Sequence, residues 1–217
     1  AFLERLVALA RATGQPWAAS ALGFLYPDGR RVAHSGLHGA PDPSGMVPRV
    51  LSLDRAPAVA QVFPSAWTKV YDRAFFGPTR FPVGCWYEDH EVWWDLAARA
   101  GAIAHCPEPL VLHRRGREGQ ITGADDERVF DQFAVLDRLA PRVLALPEGR
   151  QGLAMLASRL IHERAGPLRE PGRRARFLRR AADWLAGQGL GYDPGLGDDL
   201  SRALAPALVG RPPVGLA

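Results

Sequence analysis

Tyr87-Glu88-Asp89 places two adjacent carboxylates where a helix is expected to begin. Val92, Trp93, Leu96, Ala97 and Ala100 fall on one helical stripe after them, and Gly101 is suited to close that helix. A carboxylate in the first turn lies near the positive end of the helix dipole, which favours its ionised form. Ionisation is what a general base needs when an attacking hydroxyl gives up its proton. Without its neighbours, the same pair also suits a helix start with no chemistry. His90 follows directly, but adjacent helical residues do not face one another, so an Asp89–His90 dyad is not expected.

Two further groups complete the chemical inventory. Trp67 offers a flat indole that can stack on a sugar face, and Lys69, the only lysine in the chain, can pair with a phosphate or a carboxylate. The alternative for these two is a core indole and a surface cation. His113, Arg115 and Arg117 form a basic cluster, and Arg grips phosphate oxygens with two donors at once. A solvated loop is the plainer reading of such a run. His34 and His38 fall in or near a Gly/Pro/Ser-rich segment, 36–49, and are given no role.

The order of these pieces carries more than any one of them. Trp67-Thr68-Lys69-Val70-Tyr71-Asp72-Arg73 precedes Arg80-Phe81-Pro82-Val83-Gly84, then Tyr87-Glu88-Asp89, then the run from His113 to Thr122. This order resembles the second half of family 2 glycosyltransferases with the GT-A fold, over roughly residues 1–125. Those enzymes commonly read Trp-Asn-Lys-Leu-Tyr-Arg-Arg, Arg-Phe-Pro-x-Gly, Tyr-Glu-Asp and Arg-x-Arg-Glu-x-Ser-Ile-Thr.

The resemblance implies an inverting, nucleotide-sugar-dependent transferase of cell-surface polysaccharide or wall-polymer synthesis. It implies Asp89 as catalytic base, with Glu88 orienting the acceptor. It implies Trp67, Lys69, Tyr87, Arg115 and Arg117 as substrate-binding residues, the two arginines on the diphosphate. It implies His113 as a metal ligand and a divalent metal, Mg or Mn, alongside a nucleotide-diphosphate sugar donor. The implied partners are a nucleotide sugar and a glycan or lipid-linked acceptor, without nucleic acid. The family's Asp-x-Asp occurs nowhere in this sequence, where Thr68 and Gln120 also replace the usual Asn and Ser. The nucleotide-binding half is therefore expected to lie outside this chain, which alone is expected to be inactive. Ala1 opens the text inside a helical pattern, so a fragment or processed chain is expected.

Elements must position these groups. Phe2 to Thr13 has helical spacing, with Gly14 as its stop. Trp17 to Tyr26 is an uncharged apolar run and reads as a buried strand. Pro27-Asp28-Gly29 is turn chemistry, and Arg31 to Ser35 returns as a second strand. Ala102–Cys106 and Leu110–His113 read as two short strands parted by Pro107-Glu108-Pro109. The expected fold is α/β, a partial GT-A-like mixed sheet with flanking helices over 1–125, followed by an α-helical extension over 126–217. Amphipathic helices are expected around Phe133, Leu153 and Phe177, and a frayed Gly/Pro-rich tail from Leu208.

The 217 residues are 47% hydrophobic and 23% charged, so they can bury a core and are not disordered throughout. No run approaches the length of a membrane span, and no secretory signal is visible. Cys85 and Cys106 are too few for a disulfide scaffold. The net charge is +4, yet Asn is absent and Arg supplies all basic charge but Lys69. That Arg excess fits the codon bias of a GC-rich genome. Arg164, Arg169, Arg173, Arg174, Arg176, Arg179 and Arg180 surround a single acid, Glu170. Such a helix can rest on an anionic membrane surface or remain a solvated face. The alternative function is therefore a non-catalytic membrane- or polymer-binding helical module. Nucleic-acid binding ranks last, since it leaves Tyr87-Glu88-Asp89 unexplained. The expected location is the cytoplasm, with peripheral contact at the inner face of the cell membrane as an option.

Overall fold

The computed structural model describes residues 1–117 and 119–208. In chain order the elements are α1 (Phe2–Thr13), β1 (Trp17–Leu25), β2 (Arg31–His34), β3 (Arg49–Ser52), α2 (Ala56–Gln61), β4 (Lys69–Tyr71) and α3 (Arg73–Phe76). Then follow α4 (Glu88–Ala100), β5 (Ala102–Arg114), α5 (Asp131–Leu144), α6 (Gly149–Ala165), α7 (Pro171–Gly187) and α8 (Asp199–Leu208). The expectation of a frayed tail falls, for 209–217, outside the described residues.

The class is mixed α/β, a curled mixed sheet with flanking helices, and about half the chain is helical. β1 is the sheet's spine. It runs parallel to β5 along its length, while its other edge pairs antiparallel with β4 through Trp17–Ala19 and with β2 through Leu22–Leu25. β3 closes the far edge, antiparallel to β5. Side-chain alternation sorts the two faces. Ala18, Ala104 and Cys106 turn toward Leu6 of α1, while Trp17, Ala19 and Ile103 turn into the main core. Covered on both faces, most of β1 reads as an unbroken apolar run.

The stops at Gly14 and Gly101 are in place, both in the left-handed region, with φ 66° at each. One strand stands where two were expected. β5 continues through Pro107-Glu108-Pro109 because its register against β1 shifts there, from Ser20↔Cys106 to Ala21↔Pro109. The β3 pairing ends at His105, so the prolines withhold no ladder hydrogen bond on that edge.

All strands precede residue 115, and everything described after 130 is helix or connection. The main core nonetheless runs without interruption from Trp17 and Trp93 through Leu136 and Leu153 to Trp184. α6 is pressed onto α2. A Cβ placed on Gly152 would stand 2.3 Å from Cβ of Ala56 and 2.7 Å from its carbonyl carbon, so only glycine permits this approach. α6 also departs from the amphipathic expectation, since Ser158, Arg159, His162 and Arg164 are buried along with its leucines.

Candidate functional site: a cleft between the start of α4, the end of β5 and α6

The start of α4 is set by an uncommon backbone. Tyr87 caps it with φ 68° and ψ 29°, a left-handed conformation that side chains other than glycine rarely adopt. Tyr87 is buried, its hydroxyl has no partner among the described residues, and burial pushes that hydroxyl up to about 12. The turn delivers Glu88 and Asp89, both half-buried, into a cleft of about 940 Å³.

The end of β5 supplies the second wall. His113 stacks on Trp67, with ring centres 5.1 Å apart and planes 17° from parallel, and meets Phe24 edge-on at 6.0 Å. Trp67 stays 43% exposed on a single helical turn, Ala66–Thr68. The Arg115 backbone N–H donates to the Leu25 carbonyl at 2.8 Å, extending the ladder past β5. Its guanidinium carbon lies 5.1 Å from the Phe24 ring centre. Arg117 is exposed at the cleft mouth. Trp67, Tyr87, Glu88, Asp89, His113, Arg115 and Arg117 all border the one cleft.

Lys69 does not join them, which corrects its expected place at the substrate. It is 5% exposed, and its ammonium donates to the carbonyls of Phe63 and Ser65, the latter at 2.9 Å. The same nitrogen lies 4.8 Å from the Trp93 ring centre. Burial pulls its pKa down to about 7, against the opposing charge of Asp89. Lys69 thus fixes the 63–65 turn, and that turn borders the cleft. It opens β4, where alternation between faces turns its side chain inward.

His113 was the expected metal ligand. The Gln120 side-chain amide nitrogen donates to the Arg114 carbonyl at 2.8 Å and lies 2.9 Å from His113 Nε2. An amide nitrogen can only donate, so Nε2 is the acceptor and its lone pair is engaged. Among the described residues no group of three or more His, Cys, Asp or Glu side chains could hold a metal ion. These residues do not fit a self-contained metal centre.

The third wall comes from α6, and sequence reasoning missed it. Arg159, Glu163 and Arg164 border the cleft, with Leu156 and Leu160 beneath them. His38 also borders it, with its pKa held down at about 3, first by burial and then by the charge of Arg159. His34 does not border it, and its Nδ1 accepts from the Gly36 N–H at 3.0 Å. His90 faces the cleft with a buried, unpartnered Nδ1. No sequence signal marks α6 as a wall, since its polar residues follow no stripe. Both cysteines are free, Cys106 buried and Cys85 half-buried.

The Arg cluster around Glu170 runs from the end of α6 into α7. Glu170 is spent as the N-cap of α7, accepting from the Gly172 N–H at 2.7 Å. Acids from outside the cluster serve the arginines instead. Arg173 pairs with Asp125 at 2.6 Å and Glu127 at 3.3 Å, Arg176 with Glu127, and Arg180 with Asp137 at 4.0 Å. No helix among the described residues is long and apolar enough to cross a membrane.

The cleft can therefore offer a carboxylate pair at one side, guanidinium groups at two others, and an exposed indole at its edge. No protein-family model matches the chain, and no curated protein matches it.

Proposed function

We propose that this chain is the acceptor-side part of an inverting GT-A glycosyltransferase of family 2, acting in the synthesis of a cell-surface or wall polymer. The observation that carries the reading is the convergence of Glu88-Asp89 and Arg115/Arg117 on one cleft from elements far apart in sequence. In this reading Asp89 accepts the proton of the acceptor hydroxyl as its oxygen attacks the anomeric carbon. Glu88 orients that acceptor. Arg115 and Arg117 stabilise the departing diphosphate, where charge grows as the glycosidic bond breaks. Trp67 supplies a stacking face at the cleft edge. His113 lines the cleft in this reading as the stacking partner of Trp67.

The donor is a nucleotide-diphosphate sugar, and the acceptor is a glycan or a lipid-linked chain. Cytoplasmic residence, with contact at the inner face of the membrane, belongs to this reading. The test is sugar transfer by the intact parent protein from a panel of nucleotide sugars, wild type against Asp89→Asn. Turnover should fall by at least about 10²-fold while nucleotide binding persists. Near wild-type turnover in Asp89→Asn would remove the base from position 89.

A further inference from the structure

The α6 wall holds two arginines whose surroundings are unusual for that residue. Arg159 is 9% exposed and Arg164 is 7% exposed, and both border the cleft. Guanidinium groups are almost never so buried without acceptors. Arg159 donates through Nη1 to the Ala60 carbonyl at 2.6 Å, and its Nε is buried with no partner. Arg164 donates through Nη2 to Glu163 at 2.9 Å, and its Nε is also buried without one. Its guanidinium carbon lies 4.8 Å from the Tyr87 ring centre. Among the described residues, neither guanidinium finds acceptors for most of its five N–H donors.

The neighbours relieve this charge only in part, through Glu163, which pairs with Arg164, and through Glu163 and Asp193, whose charges act on Arg159. His38 and His90 also border the cleft but carry no negative charge in either protonation state, so neither balances a guanidinium. Burial also lowers the Arg159 pKa itself, as expected of a desolvated cation. A desolvated, underpaired cation bordering a cleft is costly unless a ligand completes it. The carboxylates at the start of α4 border the same space.

We propose that Arg159 and Arg164 form an oxyanion subsite of the cleft, separate from Arg115 and Arg117, that takes a phosphate or carboxylate group carried by the acceptor. Its placement relative to Asp89 rests on the glycosyl-transfer reading above. The subsite itself does not, since it follows from the buried guanidinium groups. The acceptor class is then an anionic glycan or polyol phosphate, not a neutral sugar. A planar guanidinium suits either oxyanion, because both present two acceptor oxygens.

Calorimetric titration of the whole chain tests this with four probes. Glycerol 3-phosphate is set against glycerol, and glucuronate against glucose. At least one anionic probe should bind at least tenfold more tightly than its neutral counterpart, and the stronger one identifies the oxyanion. Arg159→Gln should abolish that preference, and an Arg115→Gln/Arg117→Gln double variant should keep it. Arg164→Gln has no backbone partner to lose, and it should weaken the anionic probe at least threefold if Arg159→Gln fails to fold. Asp89→Asn should bind the anionic probe no more weakly than wild type. Equal binding of charged and neutral probes overturns the subsite, as does a preference lost only in the Arg115/Arg117 variant. Retained anion preference with no sugar transfer by the parent protein would instead overturn the catalytic reading alone.

Discussion

Helices α6 and α7 are each 17 residues long and both carry several arginines, yet they hold them under opposite conditions. On α7, Arg176, Arg179 and Arg180 are exposed and Arg173 and Arg174 half-buried, and Asp125, Glu127 and Asp137 reach across to Arg173, Arg176 and Arg180. On α6, Arg159 and Arg164 are inside, with unpaired donors bordering a cleft among the described residues, while Arg150 stays exposed. The dense basic run is the one that catches the eye in sequence, and three of its arginines, Arg173, Arg176 and Arg180, are paired by acids distant in the chain. Two arginines scattered along a helix without a clear polar face instead hold unpaired donors at the cleft. Charge density along a sequence is thus a poor guide to where charge is available, because availability depends on partners that only folding brings near.

The seating of α6 is where this contrast breaks most sharply. Gly152→Val would drive a branched side chain into Ala56 of α2, at a distance where backbone must move. A loss of about 3 kcal/mol is expected, read as a lower urea midpoint, together with loss of anion binding as the wall shifts. A glycine substitution on α7, Gly187→Ala, meets no atom within 4 Å and should leave the midpoint unchanged or slightly raised.

Lys69 sharpens the contrast through pH. Its folded pKa is about 7 against an ordinary 10.5, so the unfolded chain binds more protons than the folded one between those values. Its contribution to stability therefore rises from about pH 7 to pH 10.5 and is flat below. Urea midpoints measured across that window should climb less steeply in Lys69→Met than in wild type. The smallest effect belongs to α7. Arg176→Ala removes an exposed pair with Glu127 and should move neither the midpoint nor anion binding by a measurable amount.

Much of the sheet is legible in the sequence, because β1 is an uncharged run and Pro27-Asp28-Gly29 turns it back on β2. The first turn of α4, with its carboxylates, is legible for the same local reason. β3 and β4 are not, since four and three residues carry too little pattern, and their partners lie dozens of positions away. β5 reads as two strands because prolines normally end pairing, and only the register shift against β1 shows how it survives. The α6 wall is illegible because its buried Ser158, Arg159 and His162 erase the stripe that would mark an inward face. The burial of Lys69 escapes sequence because nothing local announces that a lone ammonium will serve two carbonyls.

Tyr87 joins these threads. Its backbone aims the carboxylates, while its ring lies under the guanidinium of Arg164. One residue therefore sets the span between the start of α4 and the α6 wall, with no flexible loop intervening. A left-handed backbone held by a bulky aromatic tolerates few alternatives, so that span behaves as a fixed gauge. Whatever enters is measured against a length written into a single side chain.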